Sequence, residues 1–124
     1  MRTALAVRSI SASLVMWLTC VLVIFLVAKA MPSMELGLMA CLIIGALTTL
    51  AAALPAAPGG WGAYEAVGLF VTKQIAPHYS LAEIGAFIIA SHFVQYFTVI
   101  LIGFCSCRSF GDRLSISALV DRNP

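Results

Sequence analysis

The sequence predicts an all-α protein: a polytopic membrane helix bundle with one discontinuous or re-entrant segment broken by proline and glycine. The first observation is composition, because the 124 residues are 62% hydrophobic and only 10% charged, whereas soluble domains carry about 25% charged residues. The second is that the apolar residues form long runs, several near the roughly 20 residues that cross a bilayer. The third is Pro55–Glu65, which reads Pro-Ala-Ala-Pro-Gly-Gly-Trp-Gly-Ala-Tyr-Glu between two of these runs and is rich in helix breakers.

We predict a single membrane domain over residues 1–124. Its parts are spans at about 10–30, 36–54 and 81–103, a broken segment with a short helix at 55–75, and a polar tail at 104–124. The net charge of +2 is too small to indicate a nucleic-acid partner. The sequence predicts neither a metal nor a cofactor, since no zinc-site spacing occurs among the four cysteines, Cys20, Cys41, Cys105 and Cys107.

The first apolar run, about Ile10–Ala30, is long enough to cross the membrane. A competing interpretation is a cleaved secretory signal, because Arg2 and Arg8 precede the run and Ala28-Lys29-Ala30 imitates a cleavage site. The later spans favour an uncleaved first helix, since they need a start for insertion. Met31–Glu35 is then a short loop, which makes the second helix antiparallel to the first.

The second run, Leu36 to about Leu54, carries a stripe of small residues at every fourth position: Gly37, Cys41, Gly45, Thr49 and Ala53. Small residues allow membrane helices to approach closely. The stripe therefore predicts a packing face, and a chance run of small residues in an alanine-rich helix is the alternative.

The broken segment predicts non-helical backbone at membrane depth over Pro55–Gly62. Unpaired backbone groups persist in hydrocarbon only beside protein or water, so Glu65 is expected to face a polar cavity. The apolar piece Trp61–Ile75 has roughly 15 residues, which is short for a span and favours a re-entrant or partial helix. The sequence leaves open whether this piece re-enters or completes one of four passes.

The last span begins with a capping box, Ser80-Leu81-Ala82-Glu83, in which the serine and the glutamate satisfy the first N–H groups of a helix. His78 and Tyr79, just before it, are expected at the membrane interface. The helix is predicted to run to about Gly103. The polar tail is predicted to hold a short surface helix around Leu114–Val120.

Polar residues interrupt this last span at Ser91, His92, Gln95 and Tyr96. His92, Gln95 and Tyr96 are three and four residues apart, so they share one face of the helix. Ionisable groups in membrane helices usually face the protein interior or a wet cavity. A histidine that only packs against a neighbouring helix is the alternative, and the sequence does not separate the two.

We predict that Glu65 and His92 face one interior cavity, because they lie about ten and about twelve residues from the turn that joins their helices and so at a similar depth. The predicted substrate-binding residues are Glu65, His92 and Gln95, with the backbone of Gly59, Gly60 and Gly62 as one wall. A helix start alone also explains Glu65, since the helix dipole favours an acid in the first turn. The exposed N–H groups of that turn are an alternative site for an anion such as a lipid phosphate.

The arginines lie at the two ends of the chain. Arg2 and Arg8 precede the first run, and three more follow the last span: Arg108, Arg113 and Arg122. Basic flanks mark the cytoplasmic side of a membrane. Both termini are therefore predicted in the cytoplasm, with an even number of crossings.

The stretch Leu54–Ala66 resembles the signature of the flippase-like transmembrane region of lysylphosphatidylglycerol synthases and their stand-alone relatives, with its core of Pro-Gly-Gly-x-Gly-x-x-Glu. The segment from Ala90-Ser91-His92 through Gln95-Tyr96 to Gly103 is similar to the helix that follows, and Trp17 also fits. The resemblance covers about Arg8–Phe104. It implies a polytopic protein of the bacterial inner membrane, with a cavity that holds re-entrant segments.

The function implied by this resemblance is lipid translocation by a partial, C-terminal member of the family that begins at an internal or alternative methionine. Family enzymes carry a soluble aminoacyl-transferase domain, which the roughly 20-residue tail is too short to contain, so the assignment leans away from an enzyme. The implied partners are membrane lipid and other helices of a longer or oligomeric assembly. The alternatives are a non-transporting assembly component and a membrane-embedded acyl or glycosyl transferase with Glu65 and His92 as acid and base.

Overall fold

The computed structural model describes residues 2–54 and 58–111, with side chains for 3–54 and 58–108. Within these ranges the chain is helical and contains no strand, which confirms the all-α fold class. The helices are α1 (Arg2–Ala30), α2 (Leu38–Ala52), α3 (Ala63–Ile75) and α4 (Leu81–Gly111), with a 3₁₀ turn at Pro58–Gly60. The surface helix predicted around Leu114–Val120 lies outside the described residues.

The helices fall into two length classes. α1 has 29 residues and α4 has 31, so each is about 45 Å long, while the hydrocarbon core is about 30 Å thick. Thr3–Ala30 and Leu81–Arg108 are the two segments long and apolar enough to cross a membrane among the described residues. α2 and α3, with 15 and 13 residues, are only about 20 Å long.

Both long helices extend beyond the predicted spans. α1 begins at Arg2 rather than near residue 10, and α4 continues to Gly111 rather than ending near Gly103. The predicted limits followed the apolar runs. No proline lies within either extension, so the backbone continues as helix where the side chains become polar.

α2 and α3 form an antiparallel helical hairpin. At one end, the Glu35 N–H before α2 donates to the Tyr79 hydroxyl after α3, at 2.7 Å. At the other end, Gly60 lies directly against Ala52, the last residue of α2. The two loops that lead into and out of the hairpin are therefore side by side, and the broken segment is its tip.

Close packing of α1 on α2 occurs at Gly45, where an added Cβ would lie 3.2 Å from the side chains of Val21 and Ile24. The predicted small-residue stripe is right at Cys41 and Gly45, which are buried. It is wrong at the other three positions, Gly37, Thr49 and Ala53, which are exposed. Four residues turn a helix by about 400°, so a strict four-residue stripe drifts around the helix.

The chain divides into two compact units, Met1–Phe93 and Val94–Pro124. The core of the first unit comes from all four helices and both loops, with α3 in contact with α4 where Gly68 meets Ile88. Outward-facing side chains on α1, such as Leu5, Ile10 and Leu14, are more than half exposed. Lipid hydrocarbon is the environment that suits such a surface.

The turn from α3 to α4 is tightly bonded. The predicted capping box is confirmed: Ser80 N–H donates to Glu83 Oε2 at 2.9 Å, and Glu83 N–H donates to Ser80 Oγ at 3.2 Å. Lys73 Nζ donates to the backbone oxygens of Pro77 and Tyr79 at 2.8 and 2.7 Å. Tyr79 is buried, so its ring fixes the two loops together in addition to any contact with the membrane interface.

Candidate functional site

The broken segment interrupts the helices as predicted. α2 ends at Ala52 and α3 begins at Ala63, so no continuous helix joins them; Pro55, Ala56 and Ala57 lie outside the described residues. Three glycines adopt positive φ values: 72° at Gly59, 72° at Gly60 and 87° at Gly62. Other residue types enter left-handed backbone regions at a cost of about 1–2 kcal/mol, which is the physical reason for the glycines.

Gly60 is required for a second reason. A Cβ at this position would lie 2.7 Å from both Cα and Cβ of Ala52, a distance that no side-chain rotation can relieve because one of the atoms is backbone. At Gly62 the space is open, with no atom within 4 Å of an added Cβ. Among the described residues, the turn therefore lies close against α2 at Gly60 and leaves room for a side chain at Gly62.

Glu65, in the first turn of α3, bridges two elements. Its Oε2 accepts a hydrogen bond from the Gly62 N–H at 2.6 Å, and its Oε1 lies 2.5 Å from Nδ1 of His92 on α4. The first contact satisfies an N–H that the helix leaves without an internal partner. The second connects the tip of the hairpin to α4, and it brings together the two residues that the sequence singled out.

His92 is flanked by two aromatic rings. The Tyr64 ring is stacked on it with centroids 4.1 Å apart and planes 18° apart, and the Trp61 ring lies at 4.5 Å and 33°. Tyr64 and His92 are buried, whereas Trp61 is 44% exposed. His92 is therefore in contact with one buried ring and one exposed ring.

Sequence reasoning assigned no site role to Trp61 or Tyr64. Both lie within four residues of Glu65 inside the recognised motif, and three-residue spacing from Trp61 to Tyr64 is a signal that could have placed them on one side of the α3 start. The sequence could not predict that these rings contact His92, because that contact depends on how α4 is rotated about its axis.

The structure places the predicted glycines in the turn beside Glu65, and the position of Gln95 relative to Glu65 is not established. Gly59, Gly60 and Gly62 form the turn beside Glu65. Gln95 is partly buried on α4, within the second unit, and its place beside Glu65 stays a prediction. Ser91 is fully buried, and within the described part of the chain its hydroxyl has no hydrogen-bond partner.

Charge is sparse along the middle of the helices. Between Ser9 and Ala28, between Leu38 and Thr72, and between Ile84 and Cys107, the described residues contain one carboxylate, Glu65, and one histidine, His92, with no lysine or arginine. Nor do these residues include a group of three or more His, Cys, Asp or Glu able to hold a metal ion. Glu65 and His92 themselves supply hydrogen bonding and proton exchange.

A carboxylate on Nδ1 fixes the orientation and the tautomer of an imidazole. Such a pair can bind polar groups, exchange a proton with water or prepare the second ring nitrogen as a base. Each of these uses requires that part of the pair be reachable, and the Glu65 side chain, which is 17% exposed, is the more accessible member.

The fold and site define a class: a helical integral membrane protein in which a carboxylate beside a helix break bonds an imidazole on another helix. Within that class, the sequence model of the lysylphosphatidylglycerol synthase TM region matches residues 2–103. The chain belongs to this family, and the resemblance read from the glycine motif is confirmed. Comparison with curated proteins and with solved structures gives no match.

Proposed function

We propose that this chain translocates lipid, as a flippase-like membrane domain or as the part of one that carries the glycine motif. The observation that carries the proposal is the hydrogen bond between Glu65 and His92, because it joins two polar residues of different helices inside an apolar protein. A translocator needs a polar site at membrane depth where a head group can pass. Family membership supports a role with membrane lipid.

Helix lengths support a position near the middle of the bilayer for this pair. α2 and α3 are about 20 Å long, so a hairpin that enters from one surface ends inside a 30 Å core. His92 is the twelfth residue of α4, which puts it about 17 Å from the start of that helix. The two estimates agree, and they favour a re-entrant hairpin between two crossing helices over four full passes.

The pair is costly at such a depth. Charged and ionisable side chains in the membrane interior are expensive and are usually retained for pathways, relays or binding sites. A structural role alone is poorly served here, because Gly62 and Glu65 already complete the helix start without His92. The additional bond to α4 therefore favours a functional site.

Orientation follows from the arginines. We place both termini in the cytoplasm of a bacterium whose inner membrane holds the chain, with the loops at 31–37 and 76–80 on the outer side. Cys105 and Cys107 are exposed and unpaired as disulfides, so a membrane-impermeant maleimide added to intact cells should leave them unlabelled. A cysteine introduced as Ser33→Cys should react. Labelling of Cys105 and Cys107 from outside would overturn this orientation.

The function is tested by lipid scrambling in vesicles of phosphatidylethanolamine and phosphatidylglycerol that contain a trace of phosphatidylglycerol with a fluorescent acyl chain. Dithionite bleaches only the outer leaflet, so translocation raises the bleached fraction above that of protein-free vesicles. We expect the wild-type chain to raise it and Glu65→Gln to return it to the protein-free value.

The matched control is Glu35→Gln, because Glu35 is exposed and its hydrogen bond to Tyr79 comes from the backbone N–H, which the substitution retains. We expect this variant to retain full bleaching. Equal bleaching by wild type and Glu65→Gln would contradict a role for the site, and no bleaching by any variant would favour the non-transporting assembly component.

A second candidate, a membrane-embedded transferase, is favoured by one observation. Glu65 and His92 are within direct hydrogen-bond reach, as an acid–base pair requires. The two functions separate by product: a transferase changes the head group of the labelled lipid, which thin-layer chromatography detects, and a translocator leaves the lipid unchanged.

A further inference from the structure

We propose that the pair of Glu65 and His92 is a binding site for a proton, and that this proton is the coupling ion of the translocator. Proton binding is a property of the pair itself, whereas the coupling step rests on the proposed function. Protonation of the Glu65 carboxylate would also loosen the turn at Gly62, so the same event would bind the proton and move the tip of the hairpin.

The first support is that a carboxylate and an imidazole in direct contact titrate as one unit. When two such groups are bonded, their proton affinities belong to the pair. When Nδ1 carries a proton, the imidazole is neutral if Nε2 carries none and is an imidazolium if Nε2 is also protonated. Glu65 is a carboxylate in both states. The first proton taken up by the pair with a neutral imidazole adds to the free ring nitrogen and gives the imidazolium, because an imidazole is more basic than a carboxylate. A further proton converts the carboxylate to a carboxylic acid, and release of the protons to water restores the starting state.

The second support is that titratable and charged residues are sparse on α3 and α4, the helices that carry the pair. Tyr64 lies directly against His92. The others among the described residues of these helices are Lys73 on α3 and Glu83, Tyr96, Cys105, Cys107 and Arg108 on α4; α2 adds Cys41, and α1 carries Arg2, Arg8, Cys20 and Lys29. Lys73 and Glu83 are bonded within the α3–α4 turn. A proton near the tip therefore finds Glu65 as the one carboxylate there among the described residues.

The third support is access. The Glu65 side chain is 17% exposed and that of His92 is 5% exposed, so the carboxylate is the more accessible member of the pair. The exposed Trp61 ring lies against the histidine. Proton exchange is thus directed through Glu65, and His92 serves as the buried partner.

The fourth support is the consequence for the backbone. Glu65 uses one oxygen for His92 and the other for the Gly62 N–H. A carboxylic acid is a weaker acceptor than a carboxylate, so protonation weakens the bond to Gly62. Among the described residues, a Cβ added at Gly62 would meet no atom within 4 Å, whereas Gly60 lies against Ala52, so Gly62 is the hinge of the proposal.

The proton site is tested by the fluorescence of Trp61. The chain has two tryptophans, so Trp17→Phe leaves Trp61 as the single reporter, and its ring senses charge on the neighbouring imidazole. In vesicles of phosphatidylethanolamine and phosphatidylglycerol, we expect Trp61 emission to change in one transition as pH is varied. Glu65→Gln and, separately, His92→Gln should abolish or displace that transition.

Matched controls are Glu35→Gln and His78→Gln, which remove an exposed carboxylate and an exposed imidazole far from the tip. Both should retain the wild-type transition. Emission that does not respond to pH in the Trp17→Phe protein, or a transition unchanged by both site substitutions, would overturn the proposal. Because the first result needs no substitution in the site, it is decisive even if the site variants fail to fold.

Coupling is tested in the scrambling assay with a pH difference imposed across the vesicle membrane. We expect the initial rate of dithionite bleaching to rise or fall with the direction of the gradient, and to lose that dependence in His92→Gln. An initial bleaching rate that is the same for both directions of the pH gradient would contradict proton coupling, but it would still be consistent with lipid translocation. A Trp61 transition without any bleaching would leave the proton site standing and overturn the proposed function.

Discussion

α3 and α4 begin in nearly the same way, but within residues 2–54 and 58–111 only the glutamate at the start of α3 also bonds a residue of another helix. In both, a glutamate at the third position of the helix accepts from the N–H of the residue that precedes the helix. Gly62 N–H donates to Glu65 Oε2 at 2.6 Å, and Ser80 N–H donates to Glu83 Oε2 at 2.9 Å. Each glutamate thus satisfies a backbone donor that the helix cannot.

The two helix starts differ in what completes them. Ser80 returns the interaction through its hydroxyl, which accepts from Glu83 N–H and bonds the Glu83 carboxylate at 2.7 Å, so the motif is closed on itself. Gly62 has no side chain, and the second oxygen of Glu65 bonds His92 instead. One glutamate is used locally, and the other is used between helices, which makes it available for chemistry.

The largest loss of stability is expected from a substitution in the glycine turn that precedes α3. Gly60→Ala should lower the free energy of unfolding by about 3 kcal/mol, since a positive φ costs about 1–2 kcal/mol and the contact with Ala52 adds about 1–3 kcal/mol. Unfolding in detergent micelles, followed by circular dichroism, measures this. Gly85→Ala is the control, because its added Cβ meets nothing within 4 Å and alanine in a helix stabilises by about 0.5–1 kcal/mol. Equal stability of Gly60→Ala and wild type would contradict the close approach.

A double-mutant cycle measures how strongly Glu65 and His92 contribute to stability through their contact with each other. Glu65→Gln, His92→Gln and the double variant should show a coupling of about 1–2 kcal/mol in the free energy of unfolding, because the two side chains share one hydrogen bond. The parallel cycle combines Glu83→Gln with His92→Gln, and its effects should simply add. Additive effects in both cycles would mean that the two glutamates have the same local role.

The local role of the second helix start is tested by Ser80→Ala. Loss of an N-terminal cap costs about 1 kcal/mol, and the same circular dichroism measurement detects it. Ser80→Thr retains the hydroxyl and should remain close to wild type. Lipid translocation should be unaffected by Ser80→Ala, so a loss of translocation with normal stability would show that this turn also takes part in function.

The smallest expected effect is at the loop contact. Tyr79→Phe removes the acceptor of the Glu35 N–H, which should cost about 0.5 kcal/mol, near the lower end for a hydrogen bond, because Glu35 is exposed and water replaces the hydroxyl. Hydrogen exchange of the Glu35 amide should become faster. An unchanged exchange rate would mean that the hydroxyl does not hold the two loops together.

Some of the site could be predicted from the sequence because its information is local. Helix breakers in apolar sequence indicate an interrupted helix, and Ser80 with Glu83 indicates a capping box; both depend on neighbours within four residues. The depth match of Glu65 and His92 also follows, since it requires only the residues counted from a shared turn. The rings of Trp61 and Tyr64 on His92 could not be predicted, because they depend on the rotation of α4 about its own axis.

The sequence by itself determined the membrane class, the family motif, the break between α2 and α3 and the capped start of α4, since apolar runs, prolines, glycines and caps act through the nearest few residues. Two features were decided only by the tertiary structure. The loop before α2 lies beside the loop after α3, where Glu35 bonds Tyr79, and Glu65 contacts His92. Two rigid helices can turn and slide against each other without any change in their own hydrogen bonds. Their facing is therefore fixed by contacts between helices, such as Gly60 on Ala52 and Gly68 on Ile88, and not by any local pattern.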